Sequence, residues 1–293
     1  MFVIIGASGH IGGGIAQRLL AAGKQVKAIG RSRDKLAGLE KQGAEIAEGN
    51  AEDSVFLAKN LVGAEGVFVL IPPDVQAPDL AAAQDRVGAA IVKAIAESGV
   101  RYVVNLSSMG ADLEGGTGPI KGLHRQELRL NALTGVNVLH LRPAYFMENL
   151  MTAIPMIKGM GINGSAMKAD IKFAQIATKD IAEYAAKRLQ KKDFSGSSVQ
   201  ELLGQRDLSM QESTQVIGKA IGKPDLAYVQ FPYEDALKGM MGAGLSKSMA
   251  ESYVEMMKGF NEGLLGRFTR TPANTTPTSI EAFSEEFARA YQS

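Results

Sequence analysis

The chain predicts an α/β protein: a doubly wound parallel sheet followed by a smaller mixed α/β region at the C-terminal end. Three observations carry this expectation. The first fourteen residues run from an apolar, β-branched strand directly into a glycine-spaced turn and a helix start. Apolar strand-like runs then alternate with amphipathic segments to about residue 150, the rhythm of crossover units in a parallel sheet. Finally, hydroxyl and proline residues follow the fourth and fifth of these strands, at the carboxyl edge where open α/β sheets take ligands.

Phe2 to Ile5 is the first strand, and Gly6-Ala7-Ser8-Gly9-His10-Ile11-Gly12 is the turn. Gly6 permits the sharp bend, Gly9 lacks the Cβ that would hold a pyrophosphate off the backbone, and Gly12 lets the following helix approach the strand. The free N–H groups at the helix start then face an anion. The same triplet also occurs in ordinary strand-to-helix turns, but the strand before it and Ile15 to Leu20 after it supply the context a dinucleotide site requires.

A second strand, Gln25 to Gly30, ends in Arg31-Ser32-Arg33 with Lys35 close behind. An Asp or Glu there would accept hydrogen bonds from ribose hydroxyls, whereas a guanidinium and a hydroxyl suit a 2′-phosphate. The expected cofactor is therefore NADP(H), the other reading being a solvated basic loop. Ala44 to Gly49 is a third strand. Asn50 after it either touches the adenine edge or, like Asp53, caps the next helix.

The fourth strand, Gly66 to Ile71, runs into Pro72-Pro73, a stiff wall near the cofactor. A long helix from about Pro78 to Ser98 leads to a fifth strand, Arg101 to Leu106, with Ser107 and Ser108 at its end as crevice hydroxyls or a simple turn pair. The glycine-rich loop Gly110 to Gly118 is expected to be mobile. A helix from Ile120 to Leu133 and a sixth strand from Val136 to Arg142 follow, and Pro143-Ala144-Tyr145-Phe146-Met147-Glu148-Asn149 emerges into the crevice.

Residues 1–150 are thus expected to form the nucleotide-binding domain and residues 151–293 a smaller substrate region, with the helix over residues 178–191 packing back on the first. Ile154 to Lys168, rich in glycine and methionine, reads as a flexible cover over the site or as adaptable core. Later segments predict a strand at Val199 to Leu203, a helix opened by the capping box Ser209-Met210-Gln211-Glu212, and a strand at Ala227 to Phe231. Helices are expected near Ser246 to Glu262 and Ile280 to Tyr291.

Composition narrows the function. A formal charge of +1 on 293 residues gives no electrostatic reason for nucleic acid or an anionic membrane as partner. With no cysteine there is no thiol nucleophile, disulfide or thiolate metal site, and His10, His124 and His140 are scattered, so no metal centre is expected. The short N-terminal apolar run has no basic flank and no stretch is long enough to span a bilayer, so a cytoplasmic protein, monomer or homodimer, is expected.

The glycine turn, Arg31, Asn105-Leu106-Ser107-Ser108, the stretch Leu141-Arg142-Pro143-Ala144-Tyr145-Phe146-Met147-Glu148-Asn149-Leu150 and Thr178-Lys179-Asp180-Ile181-Ala182 together resemble the NmrA-like group of atypical short-chain dehydrogenase/reductases. Gly49-Asn50 departs from the Gly-Asp common in that group. The resemblance implies a Rossmann NADP(H) site formed by the glycine turn and Arg31, with the nicotinamide reaching Leu70, Ile71, Pro72 and Pro73, Leu106 and Ser107, and Pro143 to Phe146. The substrate would then lie against Ser108, Met109, Tyr145, Phe146 and Asn149. Members of the group include quinone and isoflavone reductases, and also proteins that sense NADP(H) and regulate partners.

Typical short-chain dehydrogenases protonate the product from Tyr-x-x-x-Lys. Counting back from Gly135 puts that pair on Ile120 and His124, and Pro119 to Asn131 contains no tyrosine in any register. The remaining catalytic candidates are His124, Ser107, Tyr145 and Lys121, although His124 also reads as a helix-surface residue and Tyr145 and Phe146 as core aromatics. An acceptor that needs little enzymatic proton donation stays feasible, because the cofactor carries the hard chemistry. The expected function is NADPH-dependent hydride transfer to a small quinone or activated carbonyl compound. The alternative is a non-catalytic NADP(H) sensor acting through a protein partner.

Overall fold

The computed structural model describes residues 1–266 and 268–293. The first half builds β1 (Phe2–Ile5), α1 (His10–Ala21), β2 (Val26–Gly30), α2 (Ala37–Glu40), β3 (Glu45–Glu48), α3 (Ser54–Leu61), β4 (Gly66–Val69), α4 (Leu80–Ser98), β5 (Tyr102–Leu106), α5 (Ile120–Asn131) and β6 (Asn137–Pro143). Then come β7 (Tyr145–Phe146), α6 (Ile154–Met160), β8 (Ile162–Ser165), β9 (Phe173–Ile176), α7 (Thr178–Lys191), β10 (Ser197–Leu202), β11 (Asp207–Leu208) and α8 (Met210–Ala220). The chain closes with β12 (Ala227–Gln230), α9 (Tyr233–Gly242), α10 (Lys247–Asn261) and α11 (Ile280–Gln292).

Seven strands form one sheet in the order β10-β6-β5-β4-β1-β2-β3, and every pair is parallel. This is the doubly wound architecture expected from the alternation of elements, with β1 at the switch point between β2 and β4. Alternate residues of β1 serve opposite faces, as the two-residue period of a strand requires. Phe2 and Ile4 join Ile15, Leu19, Ile181 and Leu189 in the core beneath α1 and α7. Val3 and Ile5 join Leu57, Ile91 and Leu130 beneath α3, α4 and α5. Each such fully buried aliphatic side chain contributes roughly 1.5–3 kcal/mol over leaving it exposed.

Helix α7 docks directly on α1. A Cβ on Gly14 would lie 2.9 Å from Ala182 Cβ, and Arg18 Nε reaches Glu183 Oε2 at 2.7 Å across the same seam. Strand β10 then extends the sheet beside β6, so chain beyond residue 150 completes the parallel layer. Two small sheets lie outside it: β7 pairs parallel with β9, which β11 joins antiparallel, and β8 pairs parallel with β12.

Three sequence expectations are corrected. Ile154 to Lys168 is no irregular cover: it folds into α6, ended by Gly161 at φ 71° in the left-handed cap position, and then into β8. The loop Gly110 to Gly118 is pinned, because Gly116 N donates to Glu255 at 3.1 Å and a Cβ on Gly118 would stand 2.0 Å from Ser252 O. The long helix starts at Leu80 instead of Pro78, because the Asp79 side chain accepts from Ala82 N. Among the described residues no helix is long and apolar enough to cross a membrane.

Glu148 ties the segment leaving the sheet after β6 to the start of α7. Its Oε1 accepts from Thr178 N at 2.9 Å and from Thr178 Oγ1 at 2.5 Å, while its Oε2 is buried without a hydrogen-bond partner. Burial raises the carboxyl pKa above its ordinary 4.5, against the lowering effect of Thr178. A raised carboxyl pKa favours the protonated folded form. Its contribution to stability is therefore complete below 4.5 and is lost as the pH rises through the raised value. Thermal melts should show the native protein losing stability from this group as the pH rises from acid to mildly alkaline, and Glu148→Gln should remove that slope. Identical slopes for the two proteins would contradict the assignment.

Candidate functional site

The glycine turn has the geometry of a dinucleotide cradle, and its glycines are there for three different reasons. Gly6 has φ +73°, a left-handed conformation that bends the chain out of β1 and sets it against Leu70, 2.9 Å from where a Cβ would stand. Gly12 allows backbone contact, since a Cβ there would lie 2.4 Å from Gly6 O. Gly9 is different: its Cβ would meet only Gly6 O, at an ordinary 3.5 Å. No close contact among the described residues requires glycine at that position.

Helix α1 begins at this turn with Gly9 as N-cap, no capping side chain and no acidic residue in its first turn. The N–H groups at the start of the helix, beginning with His10 and Ile11, are thus unclaimed by any side chain, and the positive end of a 12-residue helix faces the open position. Ala7, buried, is held by its N–H to Ile29 O at 3.1 Å, which ties the turn to the end of β2. Ser8 and His10 are exposed on the turn.

At that end of β2, Arg31 and Lys35 are exposed and form no ion pair or hydrogen bond among the described residues, while Arg33 is taken up by Glu40. Ser32 lies half-buried between them. Gly49 N donates to Gly30 O at 3.0 Å, and the Phe56 ring lies so close to Gly49 that a Cβ would stand 2.4 Å from it. That packing brings Asn50 beside Arg31. The helix cap is Asp53, whose carboxylate accepts from Val55 N and Phe56 N, whereas Asn50 Oδ1 accepts from Glu52 N at 3.2 Å within a turn. Arg31, Asn50, Pro72 and Pro73 line one pocket, floored by Leu80, Ala83 and Gln84 of α4. The helix residues were invisible to motif reasoning, since nothing in their spacing distinguishes them from core.

The other predicted residues fall into two sets. Leu70 and Ile71 at the end of β4 and Leu106 at the end of β5 are half-buried along the carboxyl edge of the sheet. Pro143 and Ala144 are buried where β6 ends, and Ala144 N donates to Leu202 O at 2.9 Å. Tyr145 and Phe146 follow as β7. The Tyr145 ring meets Phe173 edge-on at 5.4 Å and Phe260 at 6.3 Å between centroids. Burial pushes its phenol pKa well above the ordinary 10, with a hydrogen bond to Asn149 acting the other way. Asn149 is exposed, Ser108 half-buried, and Met109 enters the core at 1% exposure.

Ser107, Lys121 and His124 are each engaged. The Ser107 hydroxyl donates to Glu127 Oε1, and Arg142 clasps the same carboxylate, Nε to Oε1 at 3.0 Å and Nη2 to Oε2 at 2.6 Å. This buried trio locks β5, β6 and α5 together, with Glu127 only 4% exposed. Lys121 Nζ is paired with both carboxylate oxygens of Glu255 on α10, at 2.9 and 2.7 Å. His124 Nδ1 lies 2.8 Å from Ala111 O. A carbonyl only accepts, so Nδ1 carries the hydrogen and Nε2 of the neutral ring is an acceptor.

The model of the NmrA-like family matches residues 1–266. In sequence the chain is 27% identical over 293 residues to an NAD(P)H azoreductase of Xenophilus azovorans, covering 99% of this chain and 98% of that protein. It is 25% identical over 298 residues to quinone oxidoreductase 2 of Escherichia coli (strain K12), covering 98% and 99%. In structure it matches an NADPH-dependent quinone oxidoreductase from Escherichia coli complexed with NADPH, with TM-score 0.83, 21% identity, and 98% and 99% of the two chains covered. Citrobacter sp. triphenylmethane reductase complexed with NADP(H) gives TM-score 0.80 at 19% identity over 98% and 100%. At these identities the structural likeness concerns the fold, and with the family model covering nearly the whole chain, the protein belongs to the NmrA-like family.

Proposed function

We propose that this chain is an NADPH-dependent oxidoreductase whose acceptor is a small quinone or activated carbonyl compound. The observation that carries the reading is the uncapped start of α1 over Gly9, with Arg31 unpaired at the end of β2. The reductase activities named for relatives aligned along almost the whole chain support it. They favour an enzyme over a sensor that acts through a protein partner.

When bound, NADPH supplies the hydride. The turn Gly6 to Gly12 holds the diphosphate on the α1 N–H groups, Arg31 with Ser32 and Lys35 receives the 2′-phosphate, and Asn50 and Pro72-Pro73 flank the adenine side. Leu70, Ile71, Leu106 and Pro143 to Phe146 form the apolar wall for the nicotinamide, and Ser108, Met109, Tyr145, Phe146 and Asn149 border the acceptor. Ser107 acts through Glu127 and Arg142 to hold the end of β5, and Lys121 acts through Glu255 to hold α10. Neither is free to move a proton. His124 is: its Nε2, without a partner among the described residues, would accept a hydrogen bond from a hydroxyl of the cofactor. The absence of a tyrosine in the usual place therefore matters little for an acceptor whose reduced form is a stabilised anion.

Three expectations follow. Arg31→Ala should weaken NADPH binding about tenfold or more and leave NADH nearly unchanged, since a charge-assisted contact of this kind contributes roughly 1.5–3 kcal/mol. Equal loss for both cofactors would make Arg31 structural. Purified protein assayed optically against a panel of quinones, aldehydes and enones should oxidise NADPH faster in the presence of an acceptor. His124→Ala should lower kcat/KM about threefold to tenfold, the scale of one neutral hydrogen bond. NADPH that binds yet is consumed no faster with any acceptor would return the reading to the sensor.

A further inference from the structure

Helix α10 crosses the crevice at the carboxyl ends of the strands, and contacts along its length fix its course. Its N-cap residue Ser246 donates its N–H to Val75 O at 2.8 Å, and Ser248 Oγ accepts from Leu80 N at 3.1 Å, so it starts against the chain that follows Pro72-Pro73. Farther along, Glu255 holds Gly116 and Lys121, and Ser252 and Met256 press on Gly118. In the last turn Phe260 packs on Tyr145. The helix therefore bridges from the cofactor wall to the aromatic residues at the end of β6.

Met249, Tyr253, Met256 and Phe260 recur at spacings of four, three and four, which puts them on one face of α10. Met249 and Phe260 are buried at 2% and 3% exposure, and Met256 is half-buried. Tyr253 is the only one of the four with a polar atom. It is half-buried, and its hydroxyl has no hydrogen-bond partner among the described residues. Tyr228, the other phenol near Tyr145, is by contrast fully engaged with Ser165 Oγ at 2.7 Å and Met167 O at 2.8 Å. The Tyr253 hydroxyl is open to solvent, so a ligand that enters beside this face of α10 meets a free donor.

We infer that Tyr253 binds the acceptor, its hydroxyl donating a hydrogen bond to the oxygen on which negative charge develops when a quinone takes a hydride. This rests on the reductase reading. The electron pair displaced within the quinone ends on that oxygen, a proton from water neutralises it, and Tyr253 keeps its own proton. Burial raises the Tyr253 pKa above the ordinary 10, so the phenol remains a donor throughout the physiological range. A donor aimed at developing charge acts more strongly on the transition state than on the bound quinone. The site is thereby tuned to planar acceptors with a carbonyl oxygen at the reacting position.

Calorimetric binding of menadione to the protein loaded with NADP⁺, which cannot transfer a hydride, tests the contact without turnover. Tyr253→Phe should weaken menadione about threefold or more, Tyr253→Leu more still, and both should bind NADP⁺ as the native protein does. In turnover, Tyr253→Phe should lower kcat for menadione about tenfold or more. Unchanged menadione binding, or a loss matched by an equal loss of NADP⁺ binding, would overturn the inference. Native protein that binds menadione through Tyr253 but does not reduce it would leave the contact standing and overturn the reductase reading instead.

Discussion

Helix α1 meets strand β1 backbone to backbone. At Gly12 even a single methyl group would come within 2.4 Å of Gly6 O, so the separation of helix and strand is set by the absence of a side chain. The open first turn of α1 stands over the ligand position because of that approach. It also brings α1 close enough for α7 to dock through Gly14 and Ala182, which closes one face of the sheet over Phe2 and Ile4. Widening the gap by one methyl group would displace the anion-binding turn and the helix pair together, because close-packed interiors transmit such strain instead of absorbing it.

Around that constraint the protein uses charged groups in two distinct ways. Glu127, Arg142, Lys121 and Glu255 are paired, and their pairs hold β5, β6, α5, the loop Gly110 to Gly118 and α10 in register. Arg31 and Lys35, at the opposite end of the crevice, have no ion-pair or hydrogen-bond partner among the described residues. Cations left unpaired beside an uncapped helix start form a local electropositive site on a chain whose charges otherwise nearly balance, +1 over 293 residues. Under the proposed function, recognition of the anionic cofactor falls at this place, and the acceptor side is lined mainly by apolar and aromatic groups.

The parallel sheet was legible because its strands announce themselves as short apolar runs separated by helical periodicity, and the tight glycine turn because three glycines and a strand fall in one order. Ser107, Lys121 and His124 were legible as candidates but their duties were not. The partner of Ser107 sits 20 residues away on α5 and that of Lys121 sits 134 residues away on α10, separations that no local pattern encodes. Glycine misled in Ile154 to Lys168: read as a softener, Gly161 in fact ends α6 in the left-handed conformation that stops a helix cleanly. Helix α9 went unseen because its start carries no capping side chain and two glycines, Gly239 and Gly242, fall in its last turn, so neither a start signal nor an unbroken helical run marked it.

The central claim is that this family member passes a hydride from NADPH to an acceptor held beside the strand ends. Anaerobic mixing of the protein–NADPH complex with excess menadione, using NADPH deuterated at the transferring position of C4, tests it most directly. The account predicts that the nicotinamide absorbance decays only when menadione is present, and more slowly with the deuterated cofactor, because breaking the C4–H bond contributes to the rate. Decay at the same slow rate with and without menadione, in protein shown to bind both, would contradict it.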